Sequence, residues 1–263
     1  MFVSTEFTFD GQKGSDYGLK LVKLENAMFE QVFGYNRDVV FERIPGRRNS
    51  IFYNQNYEPL AFKIILSRIH DNPENTKFDD GYRRRLVKWL FKNDFRDFVS
   101  IDNPSIVYKI MFVQENKRFN NGVEQGWIEL NAFSMYSHAF SPITITNYDF
   151  SDLSSPETFE YENHSNVEDY YYPEIQFELK GAAVSFELKN LSDAGRVFKF
   201  TGLQTGESIY VDNENKLIET SVSGVYRLDK FNGNYLRFIY GVNQMQISTP
   251  CLLQIRSQFP IAL

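Results

Sequence analysis

Three consecutive guanidinium groups, Arg83, Arg84 and Arg85, with Lys88 close behind, form the densest cluster of binding chemistry in the chain. Guanidinium groups clamp carboxylates and phosphates through paired hydrogen bonds, so the run reads either as an anion or subunit contact or as the wet face of a helix. A second cluster is aromatic: Tyr170, Tyr171 and Tyr172 precede Pro173, and Tyr235 and Tyr240 follow later. Exposed, such rings would stack on sugar faces; covered, they supply core or interface area. A third segment, Asp212-Asn213-Glu214-Asn215-Lys216, gathers oxygen ligands. An EF-hand needs a ligand at its fifth position and glycine at its sixth. Here those positions are Lys216 and Leu217, so a hairpin turn between two strands explains the segment more simply.

The remaining reactive side chains do not assemble into a motif. His70, His138 and His164 are far apart and share no ligand spacing, and both G-x-S-x-G and the phosphate-binding G-x-x-x-x-G-K-[ST] are absent. The single cysteine, Cys251, excludes an internal disulfide and the cysteine-rich zinc clusters, and reads as a buried thiol. A pair of carboxylates for glycoside hydrolysis stays open among 34 acids, because their separation belongs to the fold. No catalytic residue, metal ligand or cofactor is therefore assigned, and no enzyme is expected. Glu6 and Asp10 replace the basic and apolar segments of a secretory leader, and no stretch approaches 18 apolar residues. Synthesis in the cytoplasm without membrane insertion is expected, so Asn163-His164-Ser165 and Asn190-Leu191-Ser192 match glycosylation sequons only by composition.

Charge narrows the partners. The net charge of -6 is unevenly spread: residues 1–142 hold 19 basic and 18 acidic side chains, residues 143–263 hold 9 and 16. From Phe119 to Leu179 there is no Lys or Arg and there are eleven acids, which would repel a phosphate backbone. Nucleic-acid binding is not expected.

The elements that must position these groups are mostly strands, as 25 Phe and 16 Tyr in 263 residues suit sheets. Phe7 and Phe9 alternate with polar residues before a glycine-bearing turn, and Ile44-Pro45-Gly46-Arg47 has the chemistry of a type II turn. Strands are predicted near 38–43, 59–69, 95–101, 106–113 and 126–136. Residues 106–113 are apolar on both faces, which calls for cover from another sheet or another subunit. One helix is predicted: Tyr82, Leu86, Trp89 and Leu90 share a face, with Asp79 and Asp80 at its N-terminus. Residues 146–172 lose periodicity and read as a linker or long loop. Beyond them Ile175, Phe177 and Leu179, then Val184, Phe186 and Leu188, alternate with polar residues as half-buried antiparallel strands. Further strands near 197–201, 207–212, 216–220, 235–241 and 251–256 have the spacing of a sandwich or jelly roll. The expected organisation is mainly β: an N-terminal domain over 1–145, a linker over 146–172, and a C-terminal β-sandwich over 173–263.

The opening FTFDGQKGSDYGLKL, then IPGRRNSIF, then PLAFKIIL resembles the N-terminal domain of the distal tail proteins of long-tailed bacteriophages. The likeness continues through GYRRRLVKWLF, through WIELNAFSMYS running into Ser141-Pro142, and through TGESIYVD followed by Leu217-Ile218. It departs after Pro45-Gly46, where Arg47-Arg48-Asn49-Ser50 replaces small and aspartic residues. The resemblance implies an N-terminal β-sandwich or split barrel with one helix, assembling as a homohexamer ring that continues the tail-tube channel. It also implies a C-terminal galectin-like or carbohydrate-module-like sandwich. Implied partners are the tail tube protein, a tail-associated lysin or tail spike protein, and receptor-binding proteins; the implied location is the virion tail tip. In such a ring Arg83, Arg84 and Arg85 become candidates for the subunit interface. Two rival readings stay open: a carbohydrate-binding adhesin module using Tyr170, Tyr171 and Tyr172, and a glycoside hydrolase.

Overall fold

The computed structural model describes residues 6–22, 37–69, 77–114, 116–120 and 125–263. The chain divides into two units, residues 1–142 with 261–263 and residues 143–260.

In the first unit the strands are β1 (Phe7–Phe9), β2 (Gln12–Lys13), β3 (Leu19–Leu21), β4 (Arg37–Glu42), β5 (Ile51–Tyr57), β6 (Ala61–Arg68), β7 (Arg96–Ser100), β8 (Tyr108–Phe112), β9 (Lys117–Asn120), β10 (Gly126–Phe133) and β11 (Ala139–Phe140). Asp10 and Gly11, both at positive φ, close the β1–β2 hairpin, as a two-residue loop matched to strand twist requires. The main sheet runs β2-β1-β7-β8-β10-β6-β3, with β9 also paired to β10. Its two edges, β2 and β3, are joined by only Gly14 to Gly18. A flat sheet of seven strands would hold its edges about 29 Å apart, whereas that connection reaches about 20 Å at most. The sheet therefore curls back on itself as a split barrel. Gly14 sits where it closes: a Cβ there would lie 2.4 Å from the Phe7 ring, so no side chain fits.

The helix, α1 (Asp80–Leu90), buries Tyr82, Leu86, Trp89 and Leu90, the four residues its spacing predicts. Asp79 caps it, its carboxylate accepting from the Tyr82 backbone N–H at 2.8 Å. Trp89 stacks flat on Tyr17 at 3.9 Å between ring centres and donates its Nε1–H to the Phe9 carbonyl at 3.1 Å. Helix and sheet thus share one core with Phe7, Phe9, Ile64, Leu66, Phe98 and Ile110. Of the two-faced strand, Ile110 and Phe112 are buried while Met111 and Val113 are only half covered within the chain.

The second unit is a sandwich. One sheet orders β12 (Thr144–Asp149), β20 (Cys251–Ser257), β14 (Glu174–Leu179), β17 (Ser208–Asp212) and β18 (Leu217–Thr220); the other orders β13 (Glu157–Asn163), β19 (Gly241–Ile247), β15 (Ser185–Asn190) and β16 (Arg196–Thr201). Phe177 on one sheet stacks on Phe186 of the other, ring centres 3.7 Å apart, inside a core rich in phenylalanine. The expected linker 146–172 is corrected here: it supplies most of β12 and all of β13, paired along their length with β20 and β19. Its inward positions are Tyr148, Phe159, Tyr161 and Asn163, too polar to show an apolar period. Tyr161 satisfies its hydroxyl on Ser257 at 2.7 Å and Asn163 donates to the Ile239 carbonyl at 3.1 Å, as burial demands. The strand expected at 235–241 is also shifted. Phe238 makes only an isolated bridge to Tyr171, and the regular strand begins at Gly241.

Candidate assembly surfaces

β4 and β5 pair with each other and, among the described residues, with no other strand. Ile44 to Arg47 forms the predicted turn, with Gly46 at φ 87° and the Arg47 N–H donating to the Ile44 carbonyl at 3.1 Å. The register pairs Arg37 with Tyr57, Val39 with Gln55 and Phe41 with Phe52, and shifts between Val40 and Phe41 so that Tyr53 is the extra residue of a bulge. Opposed residues share a face. One face therefore carries Val39, Phe41, Phe52 and Tyr57 together with Arg37 and Gln55; the other carries Asp38, Glu42, Asn54 and Asn56 together with Val40 and Ile51. The hydrogen bonds agree, Gln55 to Tyr57 at 2.9 Å on the first face and Tyr53 to Glu42 at 2.6 Å on the second. The apolar face is bare: Phe41 is 60% exposed and Phe52 61%. Arg43, Arg47 and Arg48, all exposed, crowd the connecting loop.

The helix arginines separate. Arg83 forms an ion pair with Asp80 one turn earlier, while Arg84 and Arg85 are exposed, Arg85 standing 5.6 Å over the Tyr82 ring. Arg68 approaches that ring to 3.8 Å. Burial nevertheless dominates and pushes the Tyr82 phenol up to about 12; its hydroxyl donates to the Tyr17 carbonyl at 2.6 Å.

The three consecutive tyrosines do not line up as one platform. Tyr171 lies against Phe259 at 4.8 Å, and its hydroxyl accepts from the Gln258 N–H at 2.8 Å; burial raises it to about 12. Tyr170 has one ring face covered by the Arg237 guanidinium at 3.7 Å, which is itself locked to Asp193 by bonds of 2.7 and 3.1 Å. Tyr172 is half-buried beside the same arginine. Tyr235 packs edge-on to Phe231, and Tyr240 remains exposed.

The other candidates have structural roles. Asp212 accepts from both the backbone and the side-chain amide of Asn215 at 2.9 and 2.8 Å, and Lys216 takes φ 58°, so the segment is the hairpin turn joining β17 to β18. Asn163 and Asn190 are buried amides, closed to modification in the folded chain. His138 is packed against Tyr136 and Phe140, and burial lowers its pKa; His164 lies 3.7 Å from Glu162 at the surface. His70 falls outside the described residues. Cys251 is fully buried, its thiol pushed up to about 12. The hairpin face went unrecognised from sequence, because Val39 and Phe41 are as apolar as any core pair and only the topology leaves them uncovered.

A family model described as "Phage tail protein N-terminal domain" matches residues 2–133, and one described as "Phage tail C-terminal domain" matches residues 139–257. The chain is 25% identical over 257 residues, 97% of each chain, to the SPbeta prophage-derived uncharacterized protein YomH of Bacillus subtilis strain 168. Among solved structures it is similar to SPP1 Dit (gp 19.1), a protein described as a paradigm of the hub adsorption apparatus in phages infecting Gram-positive bacteria. That match has a TM-score of 0.67 at 12% identity and covers 97% of this chain and 98% of that one. It is also similar to a chain of the phage P2 baseplate in its activated conformation with Ca, at TM-score 0.53 and 8% identity, covering 95% and 97%. At these identities the likeness shows a shared two-domain fold.

Proposed function

The chain belongs to the phage tail protein family, and from that membership we propose that it is a hub component of the tail tip whose copies close into a hexameric ring. The observation that carries this reading is the bare apolar face of the β4–β5 hairpin. An isolated two-stranded hairpin is marginal in water, and covering a phenylalanine or valine fully contributes about 1.5–3 kcal/mol. Val39, Phe41 and Phe52 therefore stabilise the hairpin only when a second surface meets them. A neighbouring copy supplies that surface at every position of a closed ring. Half-covered Met111 and Val113 on the main sheet point the same way.

In this role the first unit continues the tail tube and the work is mechanical. The tail tube protein docks on one side of the ring and the tail-associated lysin or tail spike protein on the other, while the second unit carries receptor-binding proteins. Exposed Arg84 and Arg85, together with the arginines of the hairpin loop, meet acidic surface on neighbours and set register more than affinity.

Light scattering on the size-exclusion peak of the full chain tests the reading. The expected mass is about six times the 30.9 kDa of one chain. A monodisperse single-chain species at concentrations well above micromolar would overturn it.

A further inference from the structure

The outer face of the five-stranded sheet is recessed across three of its strands. The open groove, about 370 Å³, is lined by Asn147, Asp149, Gln176, Glu178, Leu252 and Gln254. Register orders these residues. Asn147, Gln254 and Gln176 oppose one another across β12, β20 and β14, and one pleat repeat further Asp149, Leu252 and Glu178 do the same. Strand and pleat spacings make this a grid about 10 Å by 7 Å, the footprint of a pyranose ring with its hydroxyls.

The chemistry of the grid is selective. Gln254 donates its amide N–H to the Asn147 oxygen at 2.8 Å, which fixes both groups while leaving the Gln254 oxygen and the Asn147 nitrogen open to the groove. The Gln176 amide makes no hydrogen bond among the described residues. Each of these three amides has both donor and acceptor atoms, as does each sugar hydroxyl. Asp149, held by Ser151, and Glu178, paired with Lys180, are further acceptors. Leu252, between them, gives an apolar spot for the C–H face of a ring. On β17, opposite Gln176 and on the same face, Tyr210 is pinned by its hydroxyl to Glu174 at 2.7 Å.

Other ligands fit less well. Two carboxylates are a thin ligand set for a metal ion, and among the described residues no third His, Cys, Asp or Glu joins them. The cations that flank the groove, Lys180 and Arg256, are already paired with Glu178 and Glu174, and neither lines it, so a phosphate or a sugar acid would meet carboxylates with no free guanidinium or ammonium to bind it.

We infer that this groove is a binding site for an uncharged saccharide, with the three amides reading adjacent hydroxyls. It lies wholly within the second unit and does not depend on ring assembly. Every residue involved is on the solvent side of the sheet, opposite the core positions Phe177, Leu253 and Ile255.

Saturation-transfer NMR on the full-length protein provides the test, with glucose, galactose, N-acetylglucosamine and maltotriose as neutral probes and glucuronic acid as the anionic one. At least one neutral probe is expected to receive saturation and glucuronic acid to receive less. Asn147→Ala and Gln176→Ala should each weaken the responding sugar about tenfold or more, while Tyr170→Ala, outside the groove, should leave it unchanged. Gln176→Glu keeps the side-chain shape and adds a carboxylate, so it should also weaken binding and gives a readout if the alanine variants fold poorly. Absence of transfer to every neutral probe, transfer that survives the groove substitutions, or preference for glucuronic acid would each overturn the assignment.

Discussion

Arg227 holds Glu207 with both edges of its guanidinium, Nε 2.7 Å from Oε1 and Nη2 2.9 Å from Oε2, and the carboxylate has no exposure to solvent. Thr220 and the Gln204 N–H complete the acceptor's partners at 2.5 and 2.8 Å. The pair ties the turn before β17 to the end of β18 and to the segment beyond. Removing one member strands the other as a buried charge, a loss of about 3–5 kcal/mol. Arg227→Ala should therefore lower the unfolding transition of the second unit. Both tryptophans, Trp89 and Trp127, lie in the first unit. The drop should appear in far-UV circular dichroism in urea and leave the tryptophan-fluorescence transition in place.

The same pair sets an acid limit. Burial alone would raise the Glu207 carboxyl, but Arg227, the Gln204 N–H and the Thr220 hydroxyl outweigh it and hold the pKa below its ordinary value. A carboxylate depressed in the folded state contributes fully above its unfolded value, about 4.3, and that contribution is lost as pH falls through the lower folded value. Urea titrations between pH 6 and pH 3 should show the second unit losing stability over the acid end of that window. The Glu207→Gln, Arg227→Met double variant should lose less over the same range.

Trp89 and Asp79 fix the helix in the split barrel by different means, which makes their losses separable. Asp79→Ala removes one cap bond, about 1 kcal/mol. Trp89→Ala removes the Tyr17 stack, the bond to the Phe9 carbonyl and a large buried ring, about 3–5 kcal/mol. Thermal unfolding of the first unit, followed by tryptophan fluorescence, which comes from Trp127 alone in Trp89→Ala and from both tryptophans in Asp79→Ala, should rank them in that order.

Sequence reading reached the helix and the regular strands because their buried residues are purely apolar, as in Ile175-Phe177-Leu179 and Tyr82-Leu86-Trp89-Leu90. It failed at β12, β13 and β19, where Tyr148, Tyr161, Asn163 and Asn243 point inward and put polar atoms at core positions. Asn243 is an instance: its oxygen accepts from Asn190 and the Ile239 N–H at 2.9 Å each, and its amide donates to two carbonyls. No local period encodes that arrangement. The surfaces were less legible still. The tyrosine run looked like a platform until alternation along the chain sent Tyr171 inward, and the groove exists only because register sets Asn147, Gln254 and Gln176 side by side.

The hairpin face should govern assembly without governing the fold. Phe41→Asp and Phe52→Asp place charge on a face bare within the chain, so the unfolding transitions should move little. Between copies the same charges would be buried unpaired, at a cost of several kcal/mol. Light scattering should show a shift toward single chains for each variant, stronger in the pair. Asn54→Asp, on the opposite face, should leave the mass unchanged.

The helix arginines offer a test with an electrostatic signature. Arg84 and Arg85 are exposed and Arg83 is paired with Asp80. Reversal of the outer two should therefore remove attraction to a neighbour without stranding a buried charge. Exposed pairs contribute about 0–1 kcal/mol each and are screened within roughly 10 Å at 0.1 M salt. Arg84→Glu with Arg85→Glu should slow ring formation at low ionic strength, and the gap from the unsubstituted chain should close as sodium chloride rises toward 0.5 M. An assembly rate that ignores both the reversal and the salt would leave these arginines as a solvated helix face, and the ring, if it forms, would rest on the hairpin's apolar contacts alone.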